Sequence, residues 1–168
     1  MSGRARDRQR SAVYAAEDQV ARILDRAAHY PVVEIAGSRL TLPPERRFAD
    51  IASVQRHVDA VLALPWVRQR WSDAVRPVRV RERGGAARAH YEVAGAVIAV
   101  PVPEHGTGWA LRELVVLHEI AHHLGGSEDT GHGPAFAGRM LELVDGIIGA
   151  EVALVLRVAL ADQGAAVG

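Results

Sequence analysis

One stretch constrains this chain more than any other. Trp109 to Leu124 is almost wholly apolar, yet it carries two histidines and a glutamate near its end. Only Arg112 and Glu113 are charged before residue 118. The pattern predicts a helix over 109–124 that is apolar nearly all round, and such a helix belongs inside a domain. Leu111, Leu114 and Val115 share a face with His118 and His122. Imidazoles and a carboxylate on such a helix need partners, because a buried polar group without one costs free energy.

Residues 118–122 read His-Glu-Ile-Ala-His. On a helix, positions i and i+4 stand one above the other, so both imidazoles can reach one divalent ion. Glu119 is then placed to take a proton from water that the ion polarises. The competing reading is a pair of core histidines hydrogen-bonded to backbone. A third ligand is expected, with one position left open. Glu128 follows His122 by six residues. Glu142 follows it by twenty, but projects away from the core face set by Phe136, Met140, Leu143 and Ile147. His132 is favoured: it closes the glycine-rich loop 125–133 and precedes a helix that Phe136 can anchor.

Composition narrows the ligand chemistry. The chain has no cysteine, so any metal site must use histidine and carboxylate ligands. It follows that there is no disulfide framework, and nothing points to an oxidising compartment. The opening MSGRARDRQR has no apolar run after it and does not read as a secretory signal. The apolar stretch 146–161 is broken by Glu151 and Arg157 and is too short to span a bilayer. The expectation is a cytoplasmic protein with no membrane partner. All 20 basic residues are arginine. Residues 1–103 hold 17 arginines against 11 acids, whereas 104–168 hold 3 against 9. A bound divalent cation would offset part of that acidic half.

At 168 residues the chain is expected to form one domain. Helical periodicity marks 11–28, 51–64, a short piece over 66–75, 134–144 and 150–161. Pro31 and Pro65 stop the first two helices. Residues 32–42 read as a hairpin turning at Gly37-Ser38, and 43–47 as a loop. Residues 77–83, 87–93 and 96–102 read as strands divided by Gly84-Gly85 and Ala94-Gly95. Helices, then strands, then helices imply an α+β fold with a small antiparallel sheet. Within it, 1–75 is a helical part with the hairpin, 76–145 the core of the chemistry, and 146–168 a last helix and tail.

Downstream of the motif, His132 to Phe136 reads His-Gly-Pro-Ala-Phe. With His-Glu-Ile-Ala-His upstream, this resembles the SprT-like (Spartan-type) zinc metalloproteases, over roughly Val78 to Val144. The resemblance implies a minimal zincin-like core, a single Zn²⁺ held by His118, His122 and His132, and Glu119 as general base. SprT-like proteins often continue into a cysteine zinc ribbon, which a chain without cysteine cannot form. The whole chain also resembles a small group of actinobacterial metallohydrolases of similar length, through Arg10-Ser11-Ala12-Val13-Tyr14-Ala15-Ala16-Glu17 and the motif. That likeness implies a hydrolase without naming a substrate.

Other residues carry weaker signals. In zincins the strand before the active-site helix forms the cleft edge, and Pro101 and Pro103 suit an edge at Ala96–Val102. Tyr91 is a candidate to stabilise an oxyanion, although an ordinary half-buried strand tyrosine is the favoured reading. His105 and His123 read as surface or supporting residues. Trp66, Trp71 and Trp109 read as core or cleft wall. Arg79, Arg81 and Arg83 share one strand face and form a possible phosphate patch, but a solvated face is favoured over nucleic acid. The expected function is a zinc-dependent metallopeptidase acting on a peptide or protein. The alternatives are a hydrolase of a small amide or ester, and a non-catalytic zinc-fold module binding a protein or nucleic acid.

Overall fold

The apolar periodicities are realised as helices, and the strand segments as small sheets, in an α+β chain. The structure is a computed structural model that describes residues 7–85, 88–102 and 111–168. Two compact units are present: Met1–Pro44 with Gly131–Gly168, and Glu45–Thr130.

In the first unit, α1 (Arg10–Ala27) buries Val13, Ala16, Val20, Leu24 and Ala27, the three- and four-residue spacing of one helical stripe. It packs on α6 (Ala150–Asp162), which also receives α5 (Pro134–Ile147). Phe136, Met140, Leu143 and Val144 of α5 and Val152, Val155, Leu156 and Leu160 of α6 are buried in the core of this unit. Gly149 joins these two helices at φ +149°, a conformation that side chains rarely adopt. The Gln9 amide exchanges two hydrogen bonds with Ala166, of 2.9 and 3.1 Å, and so ties the start of α1 to the segment after α6.

Strands β1 (Val32–Ile35) and β2 (Ser38–Thr41) pair antiparallel, with Ile35 opposite Ser38. The turn residues are Ala36 and Gly37, at φ 48° and 78°. Two positive φ values match the right-handed strand twist. The turn thus lies one residue before the expected Gly37-Ser38.

The second unit begins with β3 (Arg47–Phe48), a two-residue strand within and just past the expected loop 43–47. Next come α2 (Ile51–Ala63), α3 (Pro65–Arg70) and a 3₁₀ turn over Ser72–Val75. Asp50 caps α2 by accepting from the Ser53 N–H at 2.7 Å, and Ser53 reciprocates at 3.3 Å. The central sheet holds β4 (Arg79–Arg83), β5 (His90–Glu92) and β6 (Val97–Pro101) in the order β4-β6-β5.

Two expectations about this sheet are corrected. It is mixed: β5 pairs antiparallel with β6, but β4 pairs parallel with it, Val80 opposite Ile98. In addition β6 is the middle strand, where an edge was expected. Val97 to Val100 are all buried, the unbroken apolar run of a strand covered on both faces. Pro101 closes the strand, where a missing donor costs little, and Pro103 lies outside the described residues. The outer edge of β4 is covered by a side chain: Gln55 donates to Val78 O at 2.8 Å and accepts from Val80 N–H at 2.7 Å, as a neighbouring strand would.

The helix of the motif, α4, runs over Glu113–Leu124 and not from Trp109, which lies outside the described residues. Leu111 and Arg112 instead form β7, paired antiparallel with β3. Pairing with a segment more than sixty residues away overrides the local helical pattern there. No helix among the described residues is long and apolar enough to cross a membrane.

Ile98 is fully buried within β6. Ile98→Ala is expected to lower the unfolding free energy by about 2–5 kcal/mol in urea denaturation. A loss under about 1 kcal/mol would contradict burial on both faces of this strand.

Candidate metal centre

Both ends of α4 are fixed by buried polar contacts. At its start, Glu113 is 1% exposed. Its carboxylate accepts from Arg46 N–H at 3.0 Å and Arg46 Nη1 at 2.9 Å, and it meets His57 Nε2 at 3.0 Å. Burial alone would raise the Glu113 pKa; the bonds from His57 and Arg46 outweigh it and hold the carboxyl below its ordinary value. Beside it, Glu45 accepts from the Leu114 N–H at 3.2 Å and pairs with Arg112 at 3.0 Å. Two carboxylates at a helix N-terminus also match its positive end.

At the other end His123 is completely buried, not a surface residue. Its Nε2 lies 2.9 Å from Asp73 O and 3.1 Å from Arg76 O. Carbonyls only accept, so the proton sits on Nε2 and Nδ1 is left as acceptor. Tyr91 donates its hydroxyl to that Nδ1 at 2.9 Å and accepts from Arg76 Nη2 at 3.1 Å. Burial, reinforced by the Arg76 charge, holds the His123 pKa below its ordinary value, so the neutral ring is favoured. Burial likewise raises the Tyr91 pKa, against the opposing pull of Arg76. The Tyr91 hydroxyl is therefore occupied in holding α4. Gly126, at φ +68°, follows the helix where a Cβ would stand 3.1 Å from Asp73 Oδ2.

Between these ties α4 presents His118 and His122, their rings 4.9 Å apart and their Nε2 atoms 3.2 Å apart. Two imidazole nitrogens on one tetrahedral zinc ion are separated by about 3.3 Å. His118 and Glu119 are 2% and 3% exposed. His132 is also buried, at 6%. Its Nδ1 lies 2.6 Å from Asp7 Oδ2, and its ring meets those of Tyr14 and Phe136 at centroid distances of 5.1 and 4.9 Å. His118, His122 and His132 each offer one ligand atom, and these atoms lie within 4.8 Å of one another. Three close histidines can bind a metal ion, and a neutral nitrogen donor set suits zinc.

The other candidates fall elsewhere. Glu128 is exposed, and the half-exposed Glu142 lines an open groove with Gly138, Asp145 and Arg157. His105 lies outside the described residues. Trp71 is buried and meets Trp66 edge-on at 6.0 Å. Of the strand arginines, Arg81 pairs with Glu92, and Arg83 is engaged by Arg88 O at 2.8 Å and His90 Nδ1 at 2.6 Å. Sequence reasoning missed Asp7, Glu45, Glu113 and His57. Asp7 sits in an arginine-rich run that reads as a solvated helix start and gives no local signal.

Glu113 makes a signed prediction. Its lowered folded-state pKa means that its stabilisation is present above the ordinary carboxylate value near 4.5 and is lost as pH falls through the folded value. Glu113→Ala is expected to cost about 2 kcal/mol at pH 7, discounted for the exposed Arg46 partner. The gap between variant and wild type should narrow below about pH 4.5. A gap independent of pH in urea titrations would show that the ionised carboxylate is not what holds this end of α4.

Comparison with protein-family models, with curated proteins and with solved structures returns no match. The resemblance to SprT-like proteases accordingly stands on the residues of the two motifs.

Proposed function

We propose that this protein is a zinc-dependent hydrolase, and that the bond it cleaves is a peptide bond. The observation that carries this reading is the convergence of His118, His122 and His132, with Glu119 between the first two on one buried helix. The three histidines would hold the ion, leaving one position for water or substrate. A bound divalent ion supplies Lewis acidity, lowering the pKa of water toward neutrality and polarising a carbonyl. Glu119 accepts the proton of the attacking water and returns it to the leaving amine. The burial of Glu119 keeps bulk water away from that transfer. The ties at Glu113 and His123 hold α4 in place, so that the acceptor and the ligands keep their spacing during the reaction. The proposed substrate is a peptide or protein in a reducing, cytoplasmic setting, which a chain without cysteine suits.

Metal content tests the centre. Protein purified without added metal is expected to carry near-stoichiometric zinc, and His132→Ala to lose most of it. No uptake by wild type, even after zinc is offered, would refute the reading. Full retention in the variant would remove His132 from the ligand set.

Activity tests the chemistry. A panel of unstructured peptides and small amides should show turnover of peptides in preference. Glu119→Gln should lower the rate about 10²- to 10⁴-fold while leaving zinc content unchanged. Equal activity of the variant would exclude Glu119 as the base.

A further inference from the structure

His132 is held by a residue 125 positions away. Asp7 Oδ1 accepts from the His132 backbone N–H at 3.1 Å, and Asp7 Oδ2 lies 2.6 Å from its Nδ1. A carboxylate can only accept, so Nδ1 carries the proton. The lone pair of the ring is then on Nε2, the nitrogen turned away from Asp7. Tyr14 of α1 and Phe136 of α5 meet the ring at interplanar angles of 52° and 66°. One carboxylate fixes the backbone and tautomer of His132, and two aromatic rings limit its rotation.

We propose that Asp7 is a positioning residue for metal binding: its carboxylate holds His132 with Nε2 presented as the third ligand. The inference rests on the reading of the three histidines as a metal site. The chemistry is general. A carboxylate hydrogen-bonded to the remote nitrogen of a ligating imidazole raises its basicity and fixes its direction, and its loss costs about 10- to 100-fold in metal affinity. Pinning the loop needs only the bond to the His132 backbone, and the second bond, to the ring, is the one that fixes the tautomer. The side chain of Asp7 is 28% exposed and that of His132 8%. The pair is therefore partly shielded from water, where a charge-assisted bond of this length counts for more than at an open surface.

The test uses cobalt(II) as a spectroscopic stand-in for zinc, on the full chain, with Asp7→Ala and Asp7→Asn. Visible absorption reports the ligand set and its symmetry, and chelator competition reports affinity. Asp7→Ala is expected to bind cobalt about 10- to 100-fold more weakly, with an altered absorption band. Asp7→Asn keeps one oxygen to accept from Nδ1–H but cannot serve both donors, so it should fall between the two. Thermal melting of the metal-free proteins separates this role from a structural one. A residue that only pins the loop would lower the melting temperature and leave the affinity and spectrum of the folded protein unchanged. Should Asp7→Ala fail to fold, Asp7→Asn carries the comparison. If wild type binds cobalt and both variants match its affinity and band, Asp7 is not a positioning residue, while the metal site stands. If wild type binds no cobalt, the metal reading fails and this inference fails with it.

Discussion

A carboxylate with 1% exposure at the first turn of a helix is expensive unless its charge is answered at once. Glu113 meets that condition through the Arg46 backbone, the Arg46 guanidinium, His57 and the positive end of α4 itself. The bonds are directional, so they set where α4 starts and how it is rotated, which apolar packing alone leaves loose. The neighbouring Glu45–Leu114 contact fixes the same turn a second time. A helix rises by about 1.5 Å per residue with a fixed rotation, so a pinned first turn determines the positions of His118 and His122. The His123 contacts at the last turn remove the remaining freedom to fray or tilt.

Histidines on this helix divide by what surrounds each ring. His123 has both nitrogens answered by the chain, one by two carbonyls and the other by a phenol. Burial holds its pKa below the ordinary value, and its position is structural. His118 and His122 instead turn Nε2 toward Nε2 at 3.2 Å. At that separation a proton on one Nε2 can be donated to the other, and with neither Nε2 protonated both lone pairs can turn to one cation. The same residue type one position apart thus serves opposite ends, because a step of about 100° around the helix changes its neighbours.

The helices were legible because their apolar spacing is local: α1, α2, α5 and α6 follow stripes that each segment carries in itself. The sites on α4 were legible for the same reason, since an i, i+4 pair needs only a helix. What the sequence hid was nonlocal. Nothing within Leu111-Arg112 announces a strand partner at Arg47-Phe48, so the helix was read two residues too far into that pair. The parallel pairing of β4 with β6 depends on which side of β6 each neighbour joins, and period-2 patterns do not encode that. The unbroken run Val97–Val100 did carry the signal for a middle strand, but Pro101 and Pro103 argued for an edge. Pro101 misled because a donor lost at a strand end costs little, whereas two-sided burial sets the identity of four consecutive residues.

The proposed chemistry is most vulnerable at contacts far from its own motif. The proposed ligands and base fall within fifteen residues, from His118 to His132, and form a short motif. The groups that hold them come from much farther off: Asp7 at 125 residues from His132, Arg46 at 67 from Glu113, and Asp73 at 50 from His123. Each of these contacts is polar, directional and at least partly buried, so it has little tolerance for a change of donor or acceptor. Apolar neighbours can exchange one shape for another of similar volume, but a carbonyl cannot be replaced as the acceptor for His123 without moving the ring. The precision of the centre is thus spread over chain segments whose sequences show no trace of it.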